Sequence, residues 1–309
     1  MTSTAPTDDP RRGGLPSAVS GELRDLTTSA TGRFSYYVAG SGPPLLLVHS
    51  INAAASAYEV RPFHEHYARS RTVYSIDLPG FGFADRSDRR YTPRLMTDAI
   101  EALVREIRRH HGEAPIDALA LSLSCEFLAR AAYEERDDFR SVAFVSPTGF
   151  DRRGPYDGPE GSTRAMPWLH SVFDFPLWSR GFFSLLTSRP SIRYFLRKTW
   201  GSKQIDEGVF DYAYRTSHQP GARHAPYCFV SGYLFSGDIT RIYRALSLPA
   251  WMAHGVRGDF TDYSGKTAVE NRPNWTIDVF QTGALPQFEV PTSLFAAYDR
   301  FLEAADRPA

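Results

Sequence analysis

Leu45-Leu46-Leu47-Val48 is a continuous apolar run that ends in the polar turn His49-Ser50. A strand with one wet face alternates polar and apolar side chains. A strand apolar at every position is buried on both faces, as in a parallel sheet covered by helices. Further short buried-strand candidates follow at 72–76, 116–121, 141–145, 250–253 and 275–280. The first folded segment is read as a strand over 33–39, stopped by Gly40-Ser41-Gly42-Pro43. Helical patterns lie between the runs, at 57–68, from Pro93 onward, at 126–133 and at 292–302. In the second of these, Pro93 occupies the first helical position, and Leu95, Ala99, Ala102, Leu103 and Ile107 form one apolar face. Alternating strands and helices predict an α/β chain with a mostly parallel, doubly wound sheet. Right-handed crossovers then gather the strands' C-terminal ends on one edge, where sites form.

The pattern breaks over 150–247. This stretch carries Trp168, Phe175, Trp178, Tyr194, Trp200 and Tyr212 but no buried-strand run, and is read as a helical insertion. The expected organisation is therefore a core in two parts, 22–149 and 248–309, with the insertion between them. Residues 1–21, rich in Pro, Gly, Ser and Thr, are expected to be a disordered tail with no secretory signal.

Lys plus Arg and Asp plus Glu both number 35, so bulk charge argues for neither nucleic acid nor an anionic membrane as partner. No apolar run reaches the ~20 residues of a membrane span. Cys125 and Cys228 fit neither a disulfide framework nor a metal site, which agrees with a reducing cytoplasm. No P-loop, Rossmann fingerprint or zinc spacing is present, so no cofactor or metal is expected. The sequence does not speak to oligomeric state.

The chemistry centres on 116–126, a strand, a sharp turn and a helix. A strand and a helix meeting at such a turn pass so close that the residues two before and two after its apex must be small. Ala120 and Ser124 meet that condition about Ser122; centring on Ser124 instead would place Glu126 at a small-residue position. An exposed serine at a helix N-terminus has amides and a helix dipole beside it, which favour a developing oxyanion.

Taken with its neighbours, this segment resembles the nucleophile elbow of the α/β-hydrolase superfamily, and the resemblance covers roughly 33–302. Leu47-Val48-His49-Ser50-Ile51-Asn52 is similar to that family's strand and oxyanion turn. Ile76-Asp77-Leu78-Pro79-Gly80-Phe81-Gly82 is similar to its D-x-P-G-x-G segment, and Ala250 to Gly255 followed by Asp259 to the strand and loop of its acid. The resemblance implies that Ser122 is the nucleophile and that the N–H groups of Ile51 and Leu123 form the oxyanion hole. Asp259 would be the acid, with Asp262 a second candidate, and His49 would brace the oxyanion turn. The insertion would be the family's cap.

The family's closing motif, G-H-x-P-x-x-E-x-P, stands here as Gly283-Ala284-Leu285-Pro286-Gln287-Phe288-Glu289-Val290-Pro291. Ala284 falls at the catalytic histidine, and no histidine follows His254. His254, His218 and His224 are the substitute bases that can be named. His64, His66, His110 and His111, in or next to helical segments, are expected in water. A serine hydroxyl is a weak nucleophile without a neighbour that takes its proton. The expected function is hydrolysis or acyl chemistry on a hydrophobic ester, thioester or lactone at Ser122, through an incomplete triad. The alternatives are a lyase or cyclase using the same pocket and oxyanion hole, or a catalytically silent ligand-binding protein.

Overall fold

The computed structural model describes residues 14–306. Its eight strands are β1 (Glu22–Thr28), β2 (Gly32–Gly40), β3 (Pro44–Val48), β4 (Thr72–Asp77), β5 (Ile116–Leu121), β6 (Phe139–Val145), β7 (Ala250–His254) and β8 (Trp275–Val279). They form one sheet in the order β1-β2-β4-β3-β5-β6-β7-β8. β2 runs antiparallel to both neighbours; from β4 to β8 every pairing is parallel.

Both faces are covered, as the unbroken apolar run in β3 requires. Leu46 and Val48 point into a core shared with α2 (Pro93–His111) and α3 (Ser124–Glu134). Leu45 and Leu47 point the other way, toward α1 (Arg61–Tyr67) and, at the far end of the chain, α11 (Pro291–Ala305). Each such buried leucine contributes roughly 2 kcal/mol. The start of α2 follows from its sequence. Thr92 caps it by accepting the Leu95 N–H at 3.3 Å, Pro93 opens the helix, and Gly112 at φ 88° ends it.

Three expectations change. The sheet begins one strand earlier, at β1, whose partly exposed residues alternate weakly and carry no buried run. The expected disordered tail packs from residue 14 on: Leu15, Ala18 and Val19 are buried with Tyr37, Ala57 and Tyr212. The Ala18 N–H donates to the Tyr37 hydroxyl at 3.0 Å, and the Tyr212 hydroxyl donates to the Pro16 carbonyl at 2.9 Å. Residues 1–13 of that tail lie outside the described residues. The helix of 57–68 is a 3-10 turn, Ala57–Val60, running into α1.

Between β6 and β7 the chain forms α4 (Pro167–Phe173), α5 (Ser179–Leu186), α6 (Arg189–Trp200), α7 (Glu207–Ser217), α8 (His224–Val230) and α9 (Ile239–Ala245). Polar ties hold this insertion to the sheet. Arg130 of α3 pairs with the buried Asp238 at 2.5 Å, and Arg86 donates to the Thr216 carbonyl at 2.9 Å. The last segment of the chain continues through α10 (Pro286–Glu289) into α11.

Candidate active site

Ser122 follows β5 directly and has φ 52°. Left-handed backbone costs a non-glycine residue of order 1 kcal/mol and persists only where the surroundings enforce it. Here the Ser122 N–H donates to the Val145 carbonyl at 2.9 Å, and its own carbonyl accepts from Cys125 N–H at 3.1 Å. Ala120 and Ser124 are fully buried at the two tight positions. Helix α3 starts at Ser124, two residues earlier than its periodicity suggests, so Ser122 stands at the mouth of the helix and is partly exposed. Cys125 is a packing residue: it is buried, and burial holds its thiol well above the usual range.

The turn after β3 lies alongside, since β3 and β5 are neighbours. His49 is fully buried and bridges two segments. Its Nδ1–H donates to the Ser50 carbonyl at 2.5 Å, and its Nε2 accepts the Leu78 N–H at 3.0 Å. Burial lowers its pKa to about 4, so the ring is neutral and acts as a brace. Ser50 adopts no positive φ; among the described non-glycine residues only Ser122 and Ser146 do. The N–H groups of Ile51 and Leu123 have no hydrogen-bond partner among the described residues, and both side chains are buried. Both amides are therefore free to meet an external acceptor.

Two buried carboxylates shape these loops. The carboxylate of Glu59 accepts the Ser50 N–H at 2.9 Å and the Asn52 side-chain amide at 2.7 Å; burial nevertheless raises its pKa. Asp77 accepts the Ala57 and Phe83 N–H groups at 2.8 and 3.0 Å, and burial raises it likewise. Gly82, at φ 50°, is obligatory there, because a Cβ would stand 1.9 Å from the Asp77 carboxyl carbon. Glu59 was not recognised in the sequence, because no local pattern marks an acid in a short turn as a brace.

The strand order and the left-handed turn at Ser122 describe a doubly wound α/β fold. The profile of the Alpha/beta hydrolase family matches residues 45–302. The chain belongs to that family. No curated protein matches the sequence. Among solved structures, this α/β hydrolase is similar to a probable hydrolytic enzyme from Pseudomonas aeruginosa, with 16% identity, a TM-score of 0.70, and coverage of 94% of this chain and 97% of that one. It is also similar to a thermophilic esterase from Thermogutta terrifontis, with 17% identity, a TM-score of 0.69, and coverage of 93% and 100%. A third is a meta-cleavage product hydrolase from Pseudomonas fluorescens, with 16% identity, a TM-score of 0.68, and coverage of 92% and 98%.

The other named residues of this α/β hydrolase are placed less simply. Among the described residues no side chain hydrogen-bonds the Ser122 hydroxyl. Ala284 is partly exposed; its N–H donates to the Thr199 carbonyl at 2.9 Å, at the end of α6. The segment after it meets the 3-10 turn Ala57–Val60, because the Gln287 side-chain amide donates to the Glu59 carbonyl at 3.1 Å. Asp259 is exposed and pairs with Lys198 at 2.9 Å, and Asp262 bonds to Ser264 and to the Arg152 N–H. Among the described residues neither carboxylate meets an imidazole.

His254 ends β7, two strands from β5, which is about 10 Å at strand spacing. Both ring nitrogens are engaged: Nδ1–H donates to the Gly255 carbonyl at 2.8 Å and Nε2 accepts from Lys266 at 3.2 Å. His218 is exposed against its own helix, with Nδ1 2.7 Å from the Tyr214 carbonyl. His224 pairs with Asp88 at 3.2 Å. His64, expected in water, is fully buried with Nδ1 2.8 Å from the Ser75 hydroxyl, because α1 turns that face onto β4. A groove of about 480 Å³ lies along α6, and a cavity of about 160 Å³ is bounded by Asp88, His170 and His224; Ser122 lines neither.

Proposed function

We propose that this α/β hydrolase acts on the carbonyl of an ester, thioester or lactone at Ser122, with the Ile51 and Leu123 amides as oxyanion donors and Ala284 in the histidine's place. The observation that carries this is a serine held at φ 52° at the mouth of α3, with an N–H lacking an internal partner on the next residue, Leu123, and another at Ile51 in the turn after the neighbouring strand β3. The helices α4–α9 are read as a cap, tied to the core through Arg86, Glu126 and Arg130. The aromatic character of that cap favours an apolar small substrate.

Without an acceptor for its proton, Ser122 is a slow nucleophile. Loss of the histidine from a serine triad costs about 10⁶ in kcat, while an oxyanion hole and binding alone leave roughly 10³–10⁴ over water. The empty acceptor side of the hydroxyl also favours a second reading. Two free amides polarise a carbonyl without any nucleophile, which suits a lyase or cyclase, or a protein that binds a carbonyl ligand and does not turn it over.

A p-nitrophenyl ester assay on the wild type, Ser122→Ala and Ala284→His separates these. Slow turnover abolished by Ser122→Ala and raised at least tenfold by Ala284→His supports acyl chemistry. Turnover indifferent to Ser122→Ala removes it. Thermal stabilisation by a non-hydrolysable ketone without ester turnover supports the second reading.

A further inference from the structure

Apolar side chains on the outside of this chain are unevenly placed. Of the fourteen large hydrophobic residues exposed among the described residues, ten lie between Met166 and Phe195, on α4, α5, α6 and the turns between them. Leu177 is 83% exposed, Leu185 69%, Trp168 66% and Tyr194 56%. Inward-facing partners account for the other sides of these helices: Phe183 and Leu186 pack with Tyr227, and Ile192 and Leu196 with Phe210 or Trp200. The outer sides have no such reason to be apolar, and concentrated apolar surface on a water-facing chain marks an interaction site.

The charge of the same segment is one-sided. Residues 166–203 contain Arg180, Arg189, Arg193, Arg197, Lys198 and Lys203 against Asp174 alone, in a chain whose net charge is zero. Arg189, Arg193 and Arg197 recur every fourth residue, so they share one stripe of α6, and with Tyr194 and Phe210 they line the open groove of about 480 Å³. Arg189, Arg193 and Lys198 have carboxylate partners from outside the segment: Asp211 at 3.6 Å, Glu207 at 2.7 Å and Asp259 at 2.9 Å. These pairs are solvent-exposed and cheap to exchange for another anion. Arg180, Arg197 and Lys203 have no ion pair among the described residues.

We propose that α4–α6 form a docking face for an anionic lipid surface, with Trp168, Leu177 and Leu185 entering the interface and the arginine stripe of α6 meeting headgroup phosphates. Interfacial tryptophan and tyrosine, leucine on one side and arginine on the other are what such a surface selects. No described helix is long and apolar enough to cross a membrane, so the contact is peripheral. A second copy of the chain suits this face less well, because a two-fold contact would lay the basic segment against itself. The whole-chain charge gave no reason to expect a membrane; the local distribution does. This inference does not depend on the role of Ser122.

The test is co-sedimentation of the full chain with vesicles of equal parts phosphatidylglycerol and phosphatidylcholine, against phosphatidylcholine alone, with analytical ultracentrifugation of the free protein. Binding to the anionic vesicles that weakens with salt is expected. Trp168→Ser with Leu177→Ser is expected to weaken it at least about tenfold. Arg180→Gln and Arg197→Gln are expected to weaken it about fivefold each. Since all four side chains face water or lie at the surface, the melting temperature serves as the folding control. Absence of binding by the wild type, or binding that neither pair of substitutions changes, overturns the proposal. So does a dimer that Trp168→Ser with Leu177→Ser converts to monomer.

Discussion

The carboxylate of Glu59 accepts the backbone N–H of Ser50 at 2.9 Å, and this bond holds the turn that leads from β3 into Ile51. The same carboxylate holds the Asn52 side chain, and the Glu59 carbonyl holds Gln287 from the loop of Ala284. Residue 59 therefore joins the turn after β3, through its carboxylate, to the segment after Ala284, through its backbone carbonyl. Replacing it with alanine leaves the buried Ser50 N–H without an acceptor, at about 1–3 kcal/mol, while the half-buried Asn52 amide keeps the Ser50 hydroxyl at 3.0 Å. Glu59→Ala is expected to lose roughly 1–3 kcal/mol in urea denaturation. A loss below about 0.5 kcal/mol would show that the turn does not need this brace.

Ser122 and Ser146 end adjacent parallel strands, β5 and β6, and both have φ 52°. Glycine adopts that conformation without steric cost. Ser146→Gly is expected to stabilise the fold by up to about 1 kcal/mol, keeping the Ser146 N–H bond to the Ala253 carbonyl at 2.7 Å. Ser122→Gly should do the same while removing the hydroxyl. Equilibrium unfolding of the two variants checks this, and a destabilisation in both would mean that the serines relieve their own strain.

Gly82 makes the opposite case. Its missing side chain is occupied by the Asp77 carboxylate, which two backbone N–H groups hold in place. Gly82→Ala is expected to cost more than about 3 kcal/mol, since the clash meets an immobile group and φ is positive. Soluble expression with a melting temperature near that of the wild type would contradict this.

Burial lowers His49 and His64 to about 4 and raises Glu126, held by Thr148 and the Ser236 N–H, to about 7. For the histidines the folded pKa lies below the unfolded value, so their contribution is full above about pH 6.5 and is lost as pH falls toward 4. For Glu126 the folded pKa lies above the unfolded one, so its contribution grows as pH falls from 7 toward 4.5. Between about pH 6.5 and 5 each histidine removes about 2 kcal/mol and Glu126 adds about the same. Glu126→Gln is expected to steepen the acid loss by about 2 kcal/mol over that range. Urea midpoints measured at both pH values decide it; parallel curves would exclude Glu126 as the opposing group.

If ester turnover proceeds without an imidazole, its rate should rise with pH through neutrality with no plateau, following hydroxide. Ala284→His should introduce an inflection near the unperturbed histidine value of about 6.5. An inflection near that pH already in the wild type would identify an imidazole at work and point back to His254, His218 or His224.

Local chemistry determined much of this protein. Apolar runs without alternation in β3 and β5 announce a sheet covered on both faces, and the small residues Ala120 and Ser124 mark the apex at Ser122, because both depend on nearest neighbours along the chain. The alanine at position 284 is likewise a matter of sequence. Strand β1 and residues 14–21 escaped notice because their burial comes from partners such as Tyr37 and Tyr212, far away in sequence. Only the tertiary structure decided which groups surround the serine. Among the described residues no side chain meets its hydroxyl, and contacts between segments turned His254 to Lys266 and tied Asp259 to Lys198. Glu59 could be recognised as a brace only once folding had brought Ser50 and Asn52 to it, since a carboxylate's role is set by the donors that face it and not by its place in the chain.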